Sequence, residues 1–193
     1  MAWLEEIKAN LAEAVVLRDL RPGLVTWLSR LSAFINLYGF KMTRQEHVGL
    51  VKLVWSLLVT KDMEPRIMDT CIRSELSSTD MIRTNNFYLR VLLVLLKKRR
   101  LLTPEDLSLD WRPLYDLYED LSSHAVIMSM KFYPADFEKS LKALIKVARP
   151  YFPRSATKEM LREFRPCFCP HDTIMAKAMS YCSLFLPTLS LER

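Results

Sequence analysis

The residues best suited to chemistry lie in the run Arg165-Pro-Cys167-Phe-Cys169-Pro-His171. Two thiols and an imidazole within one short stretch are types that bind zinc. A zinc site, however, needs four ligands, usually as two spaced pairs. No companion pair adjoins this run, so Cys71 or Cys182 would have to supply the fourth ligand through the fold. Structural cysteines are the simpler reading, with a metal site and a redox sensor beside it. The four cysteines do not have the spacing of a small disulfide scaffold, which favours a reducing compartment.

A nucleophile–base system needs a histidine, and the chain has three, at 47, 124 and 171. None lies in a recognisable catalytic pattern, although triad partners need not be close in sequence. No catalytic, metal or cofactor residue is therefore assigned. Three glycines are too few for a phosphate loop or many tight β-turns.

The sharpest cluster of charge is Lys97-Lys98-Arg99-Arg100, a candidate anion-binding patch. Two readings stand. Cations at a helix C-terminus offset the negative end of its dipole. The same run suits a phosphate-rich ligand or a nuclear import role. Direct nucleic-acid binding is not expected, because Glu105, Asp106 and Asp110 interrupt any continuous basic stripe. The net charge of +6 permits an acidic partner without requiring one. No membrane partner is expected either: the longest apolar run, VLLVLL at 91–96, falls far short of a span. Early acids and the lack of a long apolar core in MAWLEEIKANLAEAVVL argue against a secretory signal.

The elements that must position these groups read as helices throughout. Leu4, Ile7, Leu11, Ala14 and Val15 fall at helical spacing over 3–20, and Arg21-Pro22-Gly23 interrupts them. A second helix carries Leu24, Leu28, Leu31, Phe34, Ile35 and Tyr38. Thr43 and Glu46 form a capping box that opens a third. Residues 61–90 lack a sustained period and read as a loop or insertion with only weak helix. A firm helix covers Phe87 to Arg100. Thr103-Pro104-Glu105-Asp106 opens the next short element. Pro113 suits a first helical turn, Trp111 folds over that entrance, and Arg112 keeps its charge in water. Helices follow from about Pro134 to Ala148, from Ser155 as cap to Phe164, and from Thr173 to Leu186 with Asp172 as cap. No apolar–polar alternation reads as a strand. The last helix, with Ile174, Met175, Met179, Tyr181, Leu184, Phe185 and Leu186, is expected to leave an apolar end exposed.

The chain of 193 residues is thus one all-α domain, either a compact bundle or an α-solenoid of helix pairs. Four Arg-Pro pairs, at 21–22, 112–113, 149–150 and 165–166, are too unevenly spaced to be a repeat and act as helix breakers.

Three segments together resemble one family. They are LRPGLVTWLSRLSAFINLYGFKMTRQEHVGLVKLVWSLL, LLKKRRLLTPEDLSLDWRPLYDLY and ARPYFPRSATKEMLREFRPCFCPHDTIMAKAMSYCSLFLPT. In content and order they are similar to the N-terminal part of the large single-chain HEAT-like proteasome activators, and the resemblance covers about 5 to 188. It implies a HEAT/armadillo-like α-solenoid segment of paired antiparallel helices spanning 1–193. It implies a non-catalytic protein that caps the end ring of the proteasome core particle. The whole activator would stimulate ubiquitin- and ATP-independent degradation of peptides and of acetylated proteins such as histones. Roles in DNA repair and spermatogenesis, in nucleus and cytoplasm, follow from the same resemblance. So does binding of inositol phosphates, with no site assignable to residues here. The acetylated-histone reader and the gate-opening tail with its penultimate tyrosine are expected outside this chain, which ends Leu191-Glu192-Arg193. The remaining expectation is a stand-alone helical interaction module unable to open the gate.

Overall fold

The computed structural model describes residues 4–10, 23–38, 41–58, 78–97, 102–126, 135–164 and 172–186. Every regular element among them is helical. Helix α1 covers 4–10 and buries Leu4 and Ile7 one turn apart, with Glu5 and Glu6 outward. The rest of the helix expected over 3–20 lies outside the described residues. Helix α2 (Gly23–Tyr38) buries Leu31, Phe34 and Ile35.

Helix α3 (Arg44–Ser56) starts where the sequence says it must. The Thr43 hydroxyl accepts from the Glu46 amide at 3.2 Å, and the Glu46 carboxylate accepts from the Thr43 amide at 2.8 Å. Both bonds satisfy amides that a helix start leaves without an intrahelical acceptor. His47, Leu50, Val51, Val54 and Trp55 then recur at helical spacing and are buried.

Helix α4 (Ser78–Lys97) begins nine residues before Phe87 and so corrects the reading of loop or insertion over 78–90; residues 61–77 of that reading lie outside the described residues. The cause is Asn85 and Asn86. Both are buried, so the inward stripe runs Ile82, Asn85/Asn86, Leu89, Leu92 and Leu96, with polar residues where the eye expects apolar ones. Helix α5 (Arg112–Val126) buries Leu114, Tyr115 and Tyr118.

Helix α6 (Phe137–Ala148) buries Phe137, Leu141, Leu144, Ile145 and Ala148 and turns Glu138, Lys139 and Lys146 to water. It starts at Phe137 rather than Pro134. Asp136 makes no side-chain cap bond because its carboxylate is paired with Arg90. A 3-10 turn, Arg149–Tyr151, follows at the Arg149-Pro150 break. Helix α7 (Ala156–Glu163) is not capped by the Ser155 hydroxyl. Ser155 has helical torsions (φ −61°, ψ −25°), whereas a cap residue normally sits in the extended region. Helix α8 (Asp172–Phe185) includes Asp172 as its first residue. Of the apolar residues expected to be exposed at its end, Tyr181, Leu184 and Phe185 are buried and Met179 is 67% exposed; the side chains of Ile174 and Met175 lie outside the described ones.

Two helices act as hubs. Helix α4 packs against α2, α3 and α6, and α6 packs against α4, α5 and α8. The apolar faces of all these helices join in one hydrophobic cluster.

His47 shows how the hub is locked. Its Nε2 lies 2.7 Å from the carbonyl oxygen of Leu95, within the last turn of α4. Such carbonyls have no intrahelical donor, so the ring carries its proton on Nε2 and donates it there. Replacing His47 with Leu should destabilise the fold by about 1–3 kcal/mol, the range for a buried acceptor losing its donor. His47→Gln, which can still donate, should recover part of the loss in urea unfolding. Equal losses in both variants would show that ring packing, and not the hydrogen bond, is what matters.

Candidate functional site: the Trp-Arg-Pro junction and the basic helix end

The connection from α4 to α5 is built in two parts. The first is the Thr103–Asp106 turn, expected to open a helix. Asp106 N–H donates to the Thr103 carbonyl at 3.1 Å, and the Thr103 amide donates to the Asp106 carboxylate at 3.2 Å. The pattern of a cap is present, but no helix follows it. The second part explains why. In Leu107-Ser108-Leu109-Asp110-Trp111 the odd positions are buried and the even ones exposed, which is the period of extended chain. The alternation is short and forms no strand, in keeping with the expectation of an all-α chain. The segment pairs with no strand among the described residues, but the Leu109 amide donates to the Tyr151 carbonyl at 2.8 Å.

Trp111 ends this segment at 1% exposure. Its indole N–H donates to the Glu159 carboxylate at 3.0 Å, reaching α7. Its ring meets Tyr115 at 5.4 Å, Phe164 at 5.8 Å and Phe185 at 6.3 Å, all edge-on, the arrangement ring quadrupoles favour. Phe164 in turn stacks on Tyr181 of α8 at 5.4 Å. The Arg112 guanidinium carbon sits 5.0 Å from the Trp111 ring centroid while the residue stays exposed, a cation–π contact. The Arg112 amide donates to Asp110 Oδ1 at 3.1 Å, and Pro113, with no amide proton, occupies the second helical position.

Sequence reading placed Trp111, Arg112 and Pro113 correctly at the entrance but missed their distant partners. Trp55 of α3 donates its indole N–H to the Asp110 carbonyl at 3.1 Å. Arg44 pairs with Asp106 and donates to the Thr103 hydroxyl at 2.9 Å. Arg149 donates to the carbonyls of Ser183 at 3.2 Å and Leu186 at 3.3 Å, closing the C-terminal end of α8. The junction thus receives α3 on one side and the Tyr151 turn, α7 and α8 on the other.

Of the candidate anion patch, Lys97 is exposed in the last turn of α4, where its charge opposes the helix dipole. Lys98, Arg99 and Arg100 lie outside the described residues. So do Cys71, Cys167, Cys169 and His171. Cys182 is a half-buried free thiol. Among the described residues no three His, Cys, Asp or Glu side chains converge as a metal site. No helix among them is long and apolar enough to cross a membrane.

The titratable groups here lean in directions that set a pH dependence. Hydrogen bonding from the Thr103 hydroxyl, helped by Arg44, holds Asp106 below its ordinary 3.8, and a bond from Arg90 does the same for Asp136. Such groups add stability above the unfolded-state value and lose it as pH falls through the folded one. Burial raises Tyr88 and Tyr115 above their ordinary 10.0, and the Glu138 contact raises Lys142 above 10.5. A tyrosine so shifted resists ionisation when folded, so stability is lost once pH exceeds the unfolded value. Raised Lys142 likewise contributes below its unfolded value and less above it. Thermal unfolding should therefore show a plateau bounded near pH 4 and pH 10. Asp106→Asn should soften the acid limb alone; an unchanged acid limb would remove Asp106 from the account.

No family model matches the chain. Curated relatives do. Over 186 residues, 96% of this chain, it is 43% identical to "Proteasome activator complex subunit 4A" of Danio rerio. Over the same length it is 41% identical to "Proteasome activator complex subunit 4" of Xenopus laevis and of Homo sapiens. The chain spans 9% of the length of each of these relatives.

Proposed function

We infer that this chain, homologous over nearly its whole length to the N-terminal segment of proteasome activator complex subunit 4, is a helical segment of a proteasome activator that works as scaffold and not as catalyst. The observation carrying this reading is the match itself: 40–43% identity sustained across 96% of the chain. The packing supports it. Each hub helix contacts helices near it in the chain, the local pattern on which stacked helical repeats depend. On this reading the helices belong to a HEAT/armadillo-like solenoid. The whole activator caps the end ring of the core particle and stimulates ubiquitin- and ATP-independent breakdown of peptides and acetylated histones. It acts in nucleus and cytoplasm, with DNA repair and spermatogenesis as its settings. Lys97 to Arg100 remain a candidate anion-binding patch on this reading, with no inositol-phosphate site assigned to them.

A second reading has one observation in its favour. The described helices share a single hydrophobic cluster, so the segment has a core of its own and can serve as an interaction module without opening the gate. One experiment separates the two. The endogenous protein is captured with an antibody against residues 140–165, sized by immunoblot, and assayed for bound core particle and peptide hydrolysis. The activator reading expects a very large band that carries core particle and raises hydrolysis. A band near 22.6 kDa without core particle would replace it with the module reading.

A further inference from the structure

We propose that Thr103 is a phosphorylation site for a proline-directed Ser/Thr kinase, and that the phosphate unlocks the turn leading into the Trp111 junction. Of the ten prolines in the chain, only Pro104 follows a serine or threonine. Pro104 and Glu105 are exposed, and Thr103 is half-buried at the surface end of the turn. Proline has no amide proton and holds the preceding residue away from helical torsions, so Thr103 is presented on the outer connection between two helices.

The surroundings of the hydroxyl make its modification consequential. Oγ1 accepts from Arg44 at 2.9 Å and donates to the Asp106 carboxylate at 2.5 Å. The hydroxyl is held by Arg44 and Asp106, which also pair with each other at the surface, and ion pairs of that kind contribute little and open readily. In the reaction a bond forms between Thr103 Oγ1 and the γ-phosphorus of ATP. The bond to the β–γ bridging oxygen breaks, ADP leaves, and the hydroxyl proton passes to the base of the kinase. The product keeps the Thr103 amide as a donor to Asp106 but has lost the hydroxyl donor, the shorter of the two bonds. In its place stands a group of about −1.5 to −2 charge at neutral pH. Arg44 now faces two anions, and the phosphate, with more acceptor oxygens, takes it. Asp106 is left against a like charge and swings out, and the Thr103–Asp106 turn loses its side-chain lock. Leu107, Leu109 and Asp110 follow directly, so the loosening reaches the bonds to Tyr151 and Trp55 that join the two sides of the junction.

The test treats the 193-residue chain with ATP and a proline-directed kinase, alongside Thr103→Val, Pro104→Ala and a peptide of residues 98–110. Phosphate is mapped by mass spectrometry, and amide exchange is followed at 103–110. The expected result is phosphate on Thr103 of the folded chain, none in either variant, and several-fold faster exchange at Asp106 and Leu109 in the phosphorylated form. Phosphorylation of the peptide but not the folded chain would overturn the proposal, because the turn would then be closed to the enzyme. Undiminished phosphorylation of Pro104→Ala would overturn the proline-directed assignment. Phosphate on Thr103 with unchanged exchange at both amides would overturn the unlocking.

Discussion

Trp111→Ala should cost about 4 kcal/mol, within the range for deleting a large buried aromatic. The indole is almost wholly enclosed, and its three edge-on ring contacts reach α5, the end of α7 and α8. Each such pair adds roughly 0.5–1.5 kcal/mol beyond the area it buries. Alanine loses these contacts, leaves a cavity, and strips Arg112 of its ring. Against a total stability of about 5–15 kcal/mol, the variant would lose between about a quarter and four fifths of it. Trp111→Phe divides the effect. It keeps an aromatic ring in the cluster but loses the bond to Glu159, for a cost of about 1–2 kcal/mol. Urea unfolding of the two variants reads the order directly. If phenylalanine proved as damaging as alanine, the hydrogen bond to Glu159, and not the ring cluster, would be the main tie to α7.

Some of this architecture was open to inspection in the chain alone, for local reasons. Thr43 and Glu46 lie three residues apart and interact with each other's amides, so α3 announces its own start. Phe137, Leu141, Leu144, Ile145 and Ala148 mark one face of α6 with charge opposite. Where the reading failed, the deciding partner was distant or the residue type misled. Asn85 and Asn86 look like loop residues and are buried, which hid the first half of α4. The alternation of Leu107, Leu109 and Trp111 was present but too short to stand out beside so many helices. That Trp55 answers Asp110, Arg44 answers Asp106, and Arg149 closes α8 depends on chain segments meeting in space, and no spacing rule encodes that. The candidate site divides the same way. Trp111 at a helix entrance was legible, whereas its role as the meeting point of α5, α7 and α8 was not.

Ile145→Ala should cost about 2–5 kcal/mol, against about 0.5–1.5 for Ile145→Val. Ile145 is fully enclosed on α6, the helix that meets α4 on one side and α5 and α8 on the other. The size of the loss is less informative than where it is felt. In a stack of helical repeats, stability is roughly a sum of repeat and neighbour terms, and an interface lesion separates the units it joins. A lesion in α6 should therefore speed amide exchange in α5 and α8 more than in α2 and α3, which meet the core through α4. A single compact domain would respond otherwise, with all helices losing protection together as the global unfolding free energy falls. The same variant thus measures the strength of the hub and whether these helices behave as consecutive repeats. Graded exchange, steepest around α6, would favour the solenoid. Uniform exchange across α2 to α8 would assign the segment a single cooperative core and count in favour of an independently folding module.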